Sequence, residues 1–450
     1  MKTNHLLIAI LLACFTFSIS VMSCKSEKKD AIPALLARDK QLGTAEEQAN
    51  IKSVYDKAIA AVKKNPDDLQ QYVNLATVFV AEGRVTGNSS YYGNAAMEML
   101  NKVIDSKTAN KDIVFQALNI KSAVELNMHQ FKDALATAKQ GVAISNYNAG
   151  IFGALVDANV EMGNYDDAVK DCDSMMNIKP DLRAYSRASY LRQIYGQNAG
   201  AIEAMKMAVD AGLPGNESTE WARTTLGDLY LNFGNLDSAS LMYRSSLVYR
   251  PDYPFALIGL ARVEKAKKNY DGAIDQTKKA IKVLSEVAFV GLLGDLYELK
   301  GDAAKAKETQ IDVIRLLGEA QKSEEKDALV KHNVSREMAT ANLNAGNLDE
   351  ALKFAKTDLE MRPNNIDANE LAAWIYYVKG DYAGAKTHAD KMLATNSKNP
   401  ITMYKAGAIY VAAGDMERGQ KLMGEATTMN PYIDARIVSA AKQPVAMNKQ

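Results

Sequence analysis

The chain has 450 residues, of which 47% are hydrophobic and 24% are charged, a composition typical of a folded protein with a large buried core. Lys and Arg together number 54, as do Asp and Glu, so the formal net charge is zero. A neutral chain has no general attraction to phosphate backbones or anionic membrane surfaces, and nucleic acid is therefore not an expected partner.

The N-terminus has the pattern of a secretory signal. Lys2 precedes an apolar stretch from Leu6 to Val21, which ends in Val21-Met22-Ser23-Cys24. These last four residues resemble a bacterial lipobox, and the resemblance implies that residues 1–23 are removed and that Cys24 carries the lipid. An ordinary signal peptide with an incidental cysteine, or an uncleaved anchor, would fit the same segment.

The residues after Cys24 bear on location. Lys25 and Ser26 follow it, where an aspartate would, by resemblance to enterobacterial sorting rules, favour the inner membrane. We therefore predict a lipoprotein of the bacterial outer membrane, and the sequence leaves open whether it faces the periplasm or the cell surface. No later apolar run reaches 18 residues, so the lipid would be the attachment to the membrane.

The three cysteines predict no disulfide within the chain. Cys14 lies in the signal, Cys24 would carry lipid, and Cys172 is left alone. Cys172 shares an apolar helical stripe with Val169 and Met175, which predicts a small core residue rather than a nucleophile.

A repeated turn follows the signal. Residues 24–46 are charged and rich in small residues, which predicts a flexible tether, and helical patterning begins at Glu47. Beyond it a phrase recurs: Gly, then Asn or Asp, a third residue that is usually apolar, and a small residue three positions later. It occurs at residues 163–168, 234–239, 301–306, 346–351 and 380–385, with variants at 268–273 and 414–419.

Each phrase predicts the turn of a helical hairpin. The glycine ends one helix in a left-handed conformation, the Asn or Asp caps the next helix, and the small residue lets the two helices pack closely. The period is regular: Ala239 to Ala273 is 34 residues and Ala273 to Ala306 is 33.

This period and one further motif resemble the tetratricopeptide-repeat family. The first helix of a unit matches best in Leu226-Gly227-Asp228-Leu229-Tyr230, which is followed by Ala239, Tyr243 and Pro251. The resemblance covers Glu47 to Tyr432. It implies an all-α fold, a right-handed α-solenoid (superhelix) of tetratricopeptide-like helical hairpins whose concave groove is the natural binding site.

The spacing also predicts the domain boundaries. Ala306 and Ala351 are 45 residues apart, which indicates a break between two stacks of repeats. We predict a signal peptide at 1–23, a tether at 24–46, an N-terminal stack at 47–316, an extended connection at 317–331, a C-terminal stack at 332–432, and a capping helix with a tail at 433–450.

The sequence has no visible catalytic or metal site. The histidines His5, His129, His332 and His388 stand alone, and no zinc spacing, phosphate-binding Gly-Lys-Ser/Thr loop or Gly-x-Ser-x-Gly elbow is present. Paired acids lie mainly on faces that read as solvated. We therefore predict no enzyme activity, no metal and no cofactor.

Large residues off the packing stripe of the first helices are candidates to line the groove. They are Tyr190, Trp221, Arg262, Arg336, Trp374, Tyr377 and Tyr404. Aromatic residues and arginines often carry interface energy, although each residue could instead pack between repeats. Where some family members carry a Lys, Asn and Arg clamp for a peptide carboxylate, this chain has Asp228, Arg262 and Asp295, so such recognition is not implied.

Two functions fit these features. The first is an interaction scaffold that binds a protein or an extended peptide in the groove. The alternative is a glycan-binding envelope lipoprotein, because Trp221 and Trp374 could equally stack on sugars.

Overall fold

The computed structural model describes residues 32–323 and 328–447. Within them lie 22 helices and no strand. The helices are α1 Ala45–Lys64, α2 Leu69–Thr86, α3 Ser89–Asp105, α4 Lys111–Asn127, α5 Phe131–Ile144, α6 Ala149–Met162, α7 Tyr165–Ile178, α8 Leu182–Ile194, α9 Asn198–Asp210, α10 Glu217–Asn232, α11 Leu236–Tyr249, α12 Pro254–Ala266, α13 Tyr270–Val283, α14 Val287–Lys300, α15 Ala303–Ser323, α16 Ser335–Asn344, α17 Leu348–Met361, α18 Ile366–Val378, α19 Tyr382–Met392, α20 Pro400–Ala412, α21 Met416–Met429 and α22 Ala435–Met447.

The helices pair into consecutive hairpins, from α2 with α3 to α20 with α21. The predicted turn phrases mark these hairpins: α6 ends at Gly163, which adopts the left-handed conformation with φ of 78°, and α7 begins two residues later. Each hairpin packs on its neighbours in chain order. The predicted all-α solenoid of helical hairpins is therefore confirmed.

Small residues set the spacing within and between hairpins. The alanines predicted to lie at close contacts, such as Ala168, Ala239 and Ala273, are fully buried. Between α10, α11 and α12, the ring of Tyr243 fills the space that side chains at Gly227 and Gly259 would occupy. The ring is fully buried, and its hydroxyl donates to Asp228 Oδ1 at 2.6 Å.

The structure adds detail to the predicted boundaries. Helix α15 continues to Ser323, so the first part of the connection predicted at 317–331 is helical. Residues 35–44, within the predicted tether, pack on the solenoid: Arg38 binds Glu82 at 3.0 Å in a buried pair, and Leu42 joins the core. The signal and Cys24 lie outside the described residues. None of the described helices is long and apolar enough to span a membrane.

Successive turns of the superhelix touch each other. Along one line, loops of the second turn lie against hairpin ends of the first turn about 200 positions earlier in the chain. We call this line the inter-turn seam. It joins residues 41–47 to 250–252, 87 to 284–286, 128–130 to 331–333, 160–165 to 362–366, 196–198 to 396–398 and 231–234 to 429–431.

The seam uses one recurring device, an asparagine that caps the end of a helix in the other turn. Asn365 donates from Nδ2 to the carbonyls of Val160 and Glu161, at 3.3 and 3.1 Å. Asn430 donates in the same way to Leu231 and Asn232, at 3.4 and 3.0 Å. Val160 O and Leu231 O also accept the N–H of the turn glycines Gly163 and Gly234, whereas for Glu161 O and Asn232 O the asparagine is the described partner.

Candidate ligand-binding groove

The first helices of the hairpins, which carry even numbers, form the inner layer of the superhelix. Beside the seam, charged side chains of the two turns meet on this layer: Arg436 of α22 binds Asp295 of α14 at 2.5 Å, and Asp434 binds Lys265 of α12 at 2.6 Å. Burial alone would raise the pKa of Asp434, but Lys265 and Arg436 outweigh it and hold that pKa well below its usual range. These ion pairs therefore join the two turns of the superhelix on their inner side.

Charged residues from both turns of the superhelix converge in the middle of the groove, together with one tyrosine. We call this set the inner-face network. Its members are Glu161, Tyr190, Arg336, Arg362, Asp367, Glu370 and Lys405.

One ion pair connects the network across the two turns, and another lies within the second turn. Arg362, in the second turn, binds Glu161 in the first. Arg336 Nη2 lies 3.8 Å from Asp367 Oδ2. Burial raises the pKa of Asp367, and Arg336 only partly opposes it. The ion pair with Arg336 therefore does not fully offset the burial of Asp367.

A tighter pair lies beside it. Lys405 Nζ contacts Glu370 Oε1 at 2.7 Å, and Thr402 donates its hydroxyl to the same carboxylate. Burial would raise the pKa of Glu370, but Lys405 and Thr402 reverse the direction and lower it. Glu370 is therefore a stable anion that fixes Lys405 in the groove.

Tyr190 is the aromatic side chain of the network. Tyr190 is 41% exposed to water, although protein around it buries its hydroxyl. Burial raises its pKa well above the ordinary value, and the charges of Asp367 and Glu161 raise it further. The phenol is therefore neutral, with a hydroxyl that can donate and a ring face that a ligand can contact.

The structure brings together two of the seven residues predicted to line the groove, Tyr190 and Arg336. Trp374 stacks on Tyr377 with ring centroids 4.8 Å apart, and both side chains are almost fully buried, as is Tyr404. The Tyr377 hydroxyl reaches Ala440 O in α22 at 3.4 Å. Trp374, Tyr377 and Tyr404 thus pack in the core, and their contact with a ligand stays a prediction.

The other two predicted residues lie apart from the network. Trp221 is partly exposed on α10, and Arg262 binds Asp228 at 3.3 Å. Among the described contacts, none joins either residue to the inner-face network. Their roles in binding also stay predictions.

Sequence reasoning missed the acids Glu161, Asp367 and Glu370 and the base Lys405, because single charges on helices usually mark solvated faces. One signal was available. Arg336 and Glu370 both stand ten residues before a turn glycine, Gly346 and Gly380, and so share a register on their helices. Comparing first helices at that register would have added Glu370 to the candidates.

A cavity of about 220 Å³ adjoins the network where the two turns meet. Glu161 and Arg336 line it together with His129, Phe131 and Glu337. His129 Nδ1 lies 3.0 Å from the carbonyl of Asn333 across the seam, and its ring stacks on Phe131. The cavity therefore opens beside a histidine that belongs to the seam.

The seam is expected to weaken in acid through His332, whose ring centroid lies 4.8 Å from that of His129. Burial first, and then the His129 charge, lower the pKa of His332 from 6.5 to about 4, while Glu337 opposes them. Between these values the unfolded chain takes a proton that the folded chain refuses, so stability is lost as pH falls from 6.5 towards 4. His332→Gln should remove on the order of 2 kcal/mol of this loss.

Urea unfolding at a series of pH values checks this expectation. The stability of the wild type should fall more steeply than that of His332→Gln between pH 6.5 and 4, and the two curves should run parallel above 6.5. Parallel curves over the whole range would contradict it. His388→Gln, in α19 away from the seam, should leave the contribution of His332 in place, although burial lowers the pKa of His388 as well and its replacement should remove that separate contribution.

The part of the chain that the structure describes offers no cluster of three or more His, Cys, Asp or Glu side chains able to hold a metal ion. Cys172 is buried, and burial raises the pKa of its thiol to about 11. A thiol with that pKa is a poor nucleophile at neutral pH.

Comparisons with known proteins agree with the hairpin architecture. The family model described as tetratricopeptide repeat matches residues 224–282. The small glutamine-rich tetratricopeptide repeat-containing protein 2 of Saccharomyces cerevisiae is 26% identical over 203 residues, which cover 39% of this chain. The chain spans 58% of the length of that relative.

Two solved structures are similar at low identity. One is a tetratricopeptide repeat protein from Parabacteroides merdae, 20% identical, with a TM-score of 0.34 over 59% of this chain and 98% of the other. The other is a human IFIT1 dimer with PPP-AAAA, 13% identical, with a TM-score of 0.47 over 84% of this chain and 88% of the other.

Proposed function

We propose that this solenoid of tetratricopeptide repeats is a lipid-anchored scaffold of the bacterial envelope that binds an extended segment of a partner protein along its inner face. Tetratricopeptide-repeat proteins generally mediate interactions between proteins. The observation that carries the proposal is the inner-face network, which combines an accessible Tyr190 with charges of both signs. The function requires no catalysis.

The shape of the groove favours an extended segment. Ion pairs such as Arg436 with Asp295 hold successive turns of the superhelix together and close the wall of the groove between them, so a ligand would lie along the groove rather than pass between the turns. An extended peptide is thin, and its backbone and side chains supply donors and acceptors that match a network of mixed charge. A glycan would make better use of exposed indoles beside the network, whereas Trp374 is buried and the exposed Trp221 lies apart from the network.

Site-specific photocrosslinking tests the proposal. A benzophenone amino acid placed at Tyr190 in cells should crosslink to a protein, because that side chain lies where the peptide would pass. The same probe at Met207, which is exposed on α9, the second helix of the same hairpin, is the matched control and should not yield that product. Arg336→Ala, combined with the Tyr190 probe, should weaken the crosslink severalfold.

The outcomes separate the candidates. The same product from Tyr190 and Met207 would contradict binding on the inner face. No protein product from Tyr190, together with saturable binding to arrayed glycans, would replace the peptide with a sugar.

The lipid anchor is part of the proposal and has its own test. Cys24→Ala should move the protein from the membrane fraction to the soluble fraction, because the acylated thiol would be lost. Cys172→Ala is the control and should stay with the membranes, since that cysteine is buried in the solenoid. Membrane association of Cys24→Ala equal to the wild type would refute lipidation at this position.

A further inference from the structure

Two kinds of surface meet in the inter-turn seam, and each turn of the superhelix has one of them that the described residues leave uncovered. The loop face of the seam is formed by the loops that join one hairpin to the next, and its turn face by the turns within hairpins. In the seam, loops of the second turn of the superhelix cover turns of the first. Two sets of segments are not covered by other described residues of the seam. They are the loops of the first turn, at residues 65–68, 106–110, 145–148, 179–181 and 211–216, and the hairpin turns of the second turn, at residues 301, 346, 380 and 414.

The glycines of the hairpin turns show which turns are covered. A Cβ at Gly163 would lie 2.6 Å from the backbone of Asn364, and one at Gly196 would lie 2.7 Å from Asn396 O. At Gly346 and Gly380, as at 301 and 414, a Cβ would meet no described atom within 4 Å. The hairpin turns in the first turn of the superhelix are therefore covered by loops, whereas the glycine turns in its second turn are not covered by any described atom.

The uncovered loops carry the same capping chemistry as the covered ones. Asn365 accepts the amide of Ala368 on its side-chain oxygen, which leaves Nδ2 to donate across the seam. Asn148 holds the corresponding place before α6 and accepts the amides of Gly150 and Ile151 in the same way. No bond is described for its Nδ2, which is therefore an equivalent donor on the uncovered loop edge.

Two of the three most exposed large hydrophobic side chains of the described residues lie on the uncovered loop edge. Tyr147, Leu213 and Val248 are 77%, 71% and 77% exposed, the highest values among the large hydrophobic side chains of the described residues. Tyr147 and Leu213 lie in uncovered loops of the first turn, whereas Val248 lies at the end of α11 beside the loop at 250–252, which belongs to the seam. A partner seated on the uncovered loops would bury Tyr147 and Leu213.

The opposite edge shows the same contrast. Met416, two residues after Gly414, is 47% exposed. The residues at the corresponding place in covered turns are Tyr165 and Leu236, which are buried. Tyr165 accepts the amide of Ile366 across the seam at 2.8 Å. A partner that covered Met416 would therefore reproduce a contact that the chain already makes.

We infer that a second copy of this chain covers these edges, the loop edge of one molecule seating on the turn edge of the next, so that the superhelix continues from copy to copy. The intramolecular seam is the interface that this contact repeats. Because the two edges differ, the association is head-to-tail, and each added copy offers a new open edge.

Charge reversal of either edge tests the inference on the full-length protein in detergent. The loop-edge variant carries Tyr147→Asp and Leu213→Asp, and the turn-edge variant carries Val378→Asp and Met416→Asp, all at exposed positions. Sedimentation should show the mass of the wild type rising beyond a dimer with concentration, whereas each variant alone stays monomeric. Leu241→Asp, on the exposed outer face of α11, is the control and should associate like the wild type.

Mixing the two variants distinguishes the geometry. Each retains one intact edge, so an equimolar mixture should form dimers and stop there. A mixture that stays monomeric, a wild type that stops at dimers, or a wild type that is monomeric at every concentration would overturn the inference. These outcomes do not depend on the occupant of the groove, because no residue of the inner-face network is changed.

Discussion

Replacing Arg362 by alanine is expected to lower the free energy of unfolding by about 3–5 kcal/mol. Its guanidinium is almost fully buried and binds Asp358 through Nε and Nη2, at 2.6 and 2.8 Å. Its Nη1 reaches Glu161 in the other turn of the superhelix. Without the arginine, the buried Asp358 would lose both charge-assisted bonds, and the seam would lose its cation.

Urea unfolding of the two proteins measures the effect. Arg315→Ala is the matched control: it removes an arginine with two acidic partners, Asp312 and Glu319, but on an exposed face of α15. Little or no change is expected there, because water screens such pairs. If Arg362→Ala were as mild as Arg315→Ala, the buried pair would not stabilise the seam. Adding Asp358→Ala should recover part of the loss, since no buried charge would remain unpaired.

Replacing Gly259 by alanine is expected to destabilise the solenoid by about 3 kcal/mol. The added Cβ would lie 2.3 Å from Cε1 of Tyr243, closer than two carbon atoms can approach. The ring cannot move aside, because it is fully buried between α10, α11 and α12 and its hydroxyl is bound to Asp228. Two hairpins would have to separate, and thermal unfolding should register the loss.

Gly291→Ala is the opposite case in a helix of the same kind. A Cβ at Gly291, within α14, would meet no described atom within 4 Å. Alanine there should stabilise the protein by up to about 1 kcal/mol, because it favours the helix over the unfolded chain. Equal destabilisation by both substitutions would show that loss of glycine, rather than contact with Tyr243, is the cause.

The hairpins could be predicted from sequence because their signals are local. A turn such as Gly163-Asn164-Tyr165 fixes the end of one helix and the start of the next within a few residues. The period then brings the hairpins into line, since each packs on its neighbour. The same logic located the alanines of the core, such as Ala239 and Ala273.

The seam could not be predicted in this way. Asn365 looks like an ordinary helix cap, and only the full curvature of six hairpins brings its amide to the carbonyls of Val160 and Glu161. That curvature is the sum of many small rotations between repeats, none of which has a residue signature. The partners of Asn430 and Arg362 were invisible for the same reason.

The groove was predicted in part. The face of the first helices was the right place to search, and it gave Tyr190 and Arg336. It also gave Trp374 and Tyr377, which stack on each other and bury themselves because neighbouring repeats and α22 pack over them. An aromatic residue at a repeat junction reads the same whether it faces a ligand or the next repeat, so periodicity cannot separate the two cases.

The seam can form only late in synthesis, because its two sides lie about 200 residues apart in the chain. A repeat that packs only on its neighbours can complete its contacts within the next few dozen residues. The contact between Gly163 and Asn364, however, cannot form until about 200 further residues have been synthesised. At translation rates of about 5–20 residues per second, this interval lasts roughly 10–40 s. Throughout this interval the newly made first turn of the superhelix exposes the helix-end carbonyls that the seam later covers. We therefore expect a chaperone that holds incomplete chains to bind this part of the seam mainly before the second turn has been made.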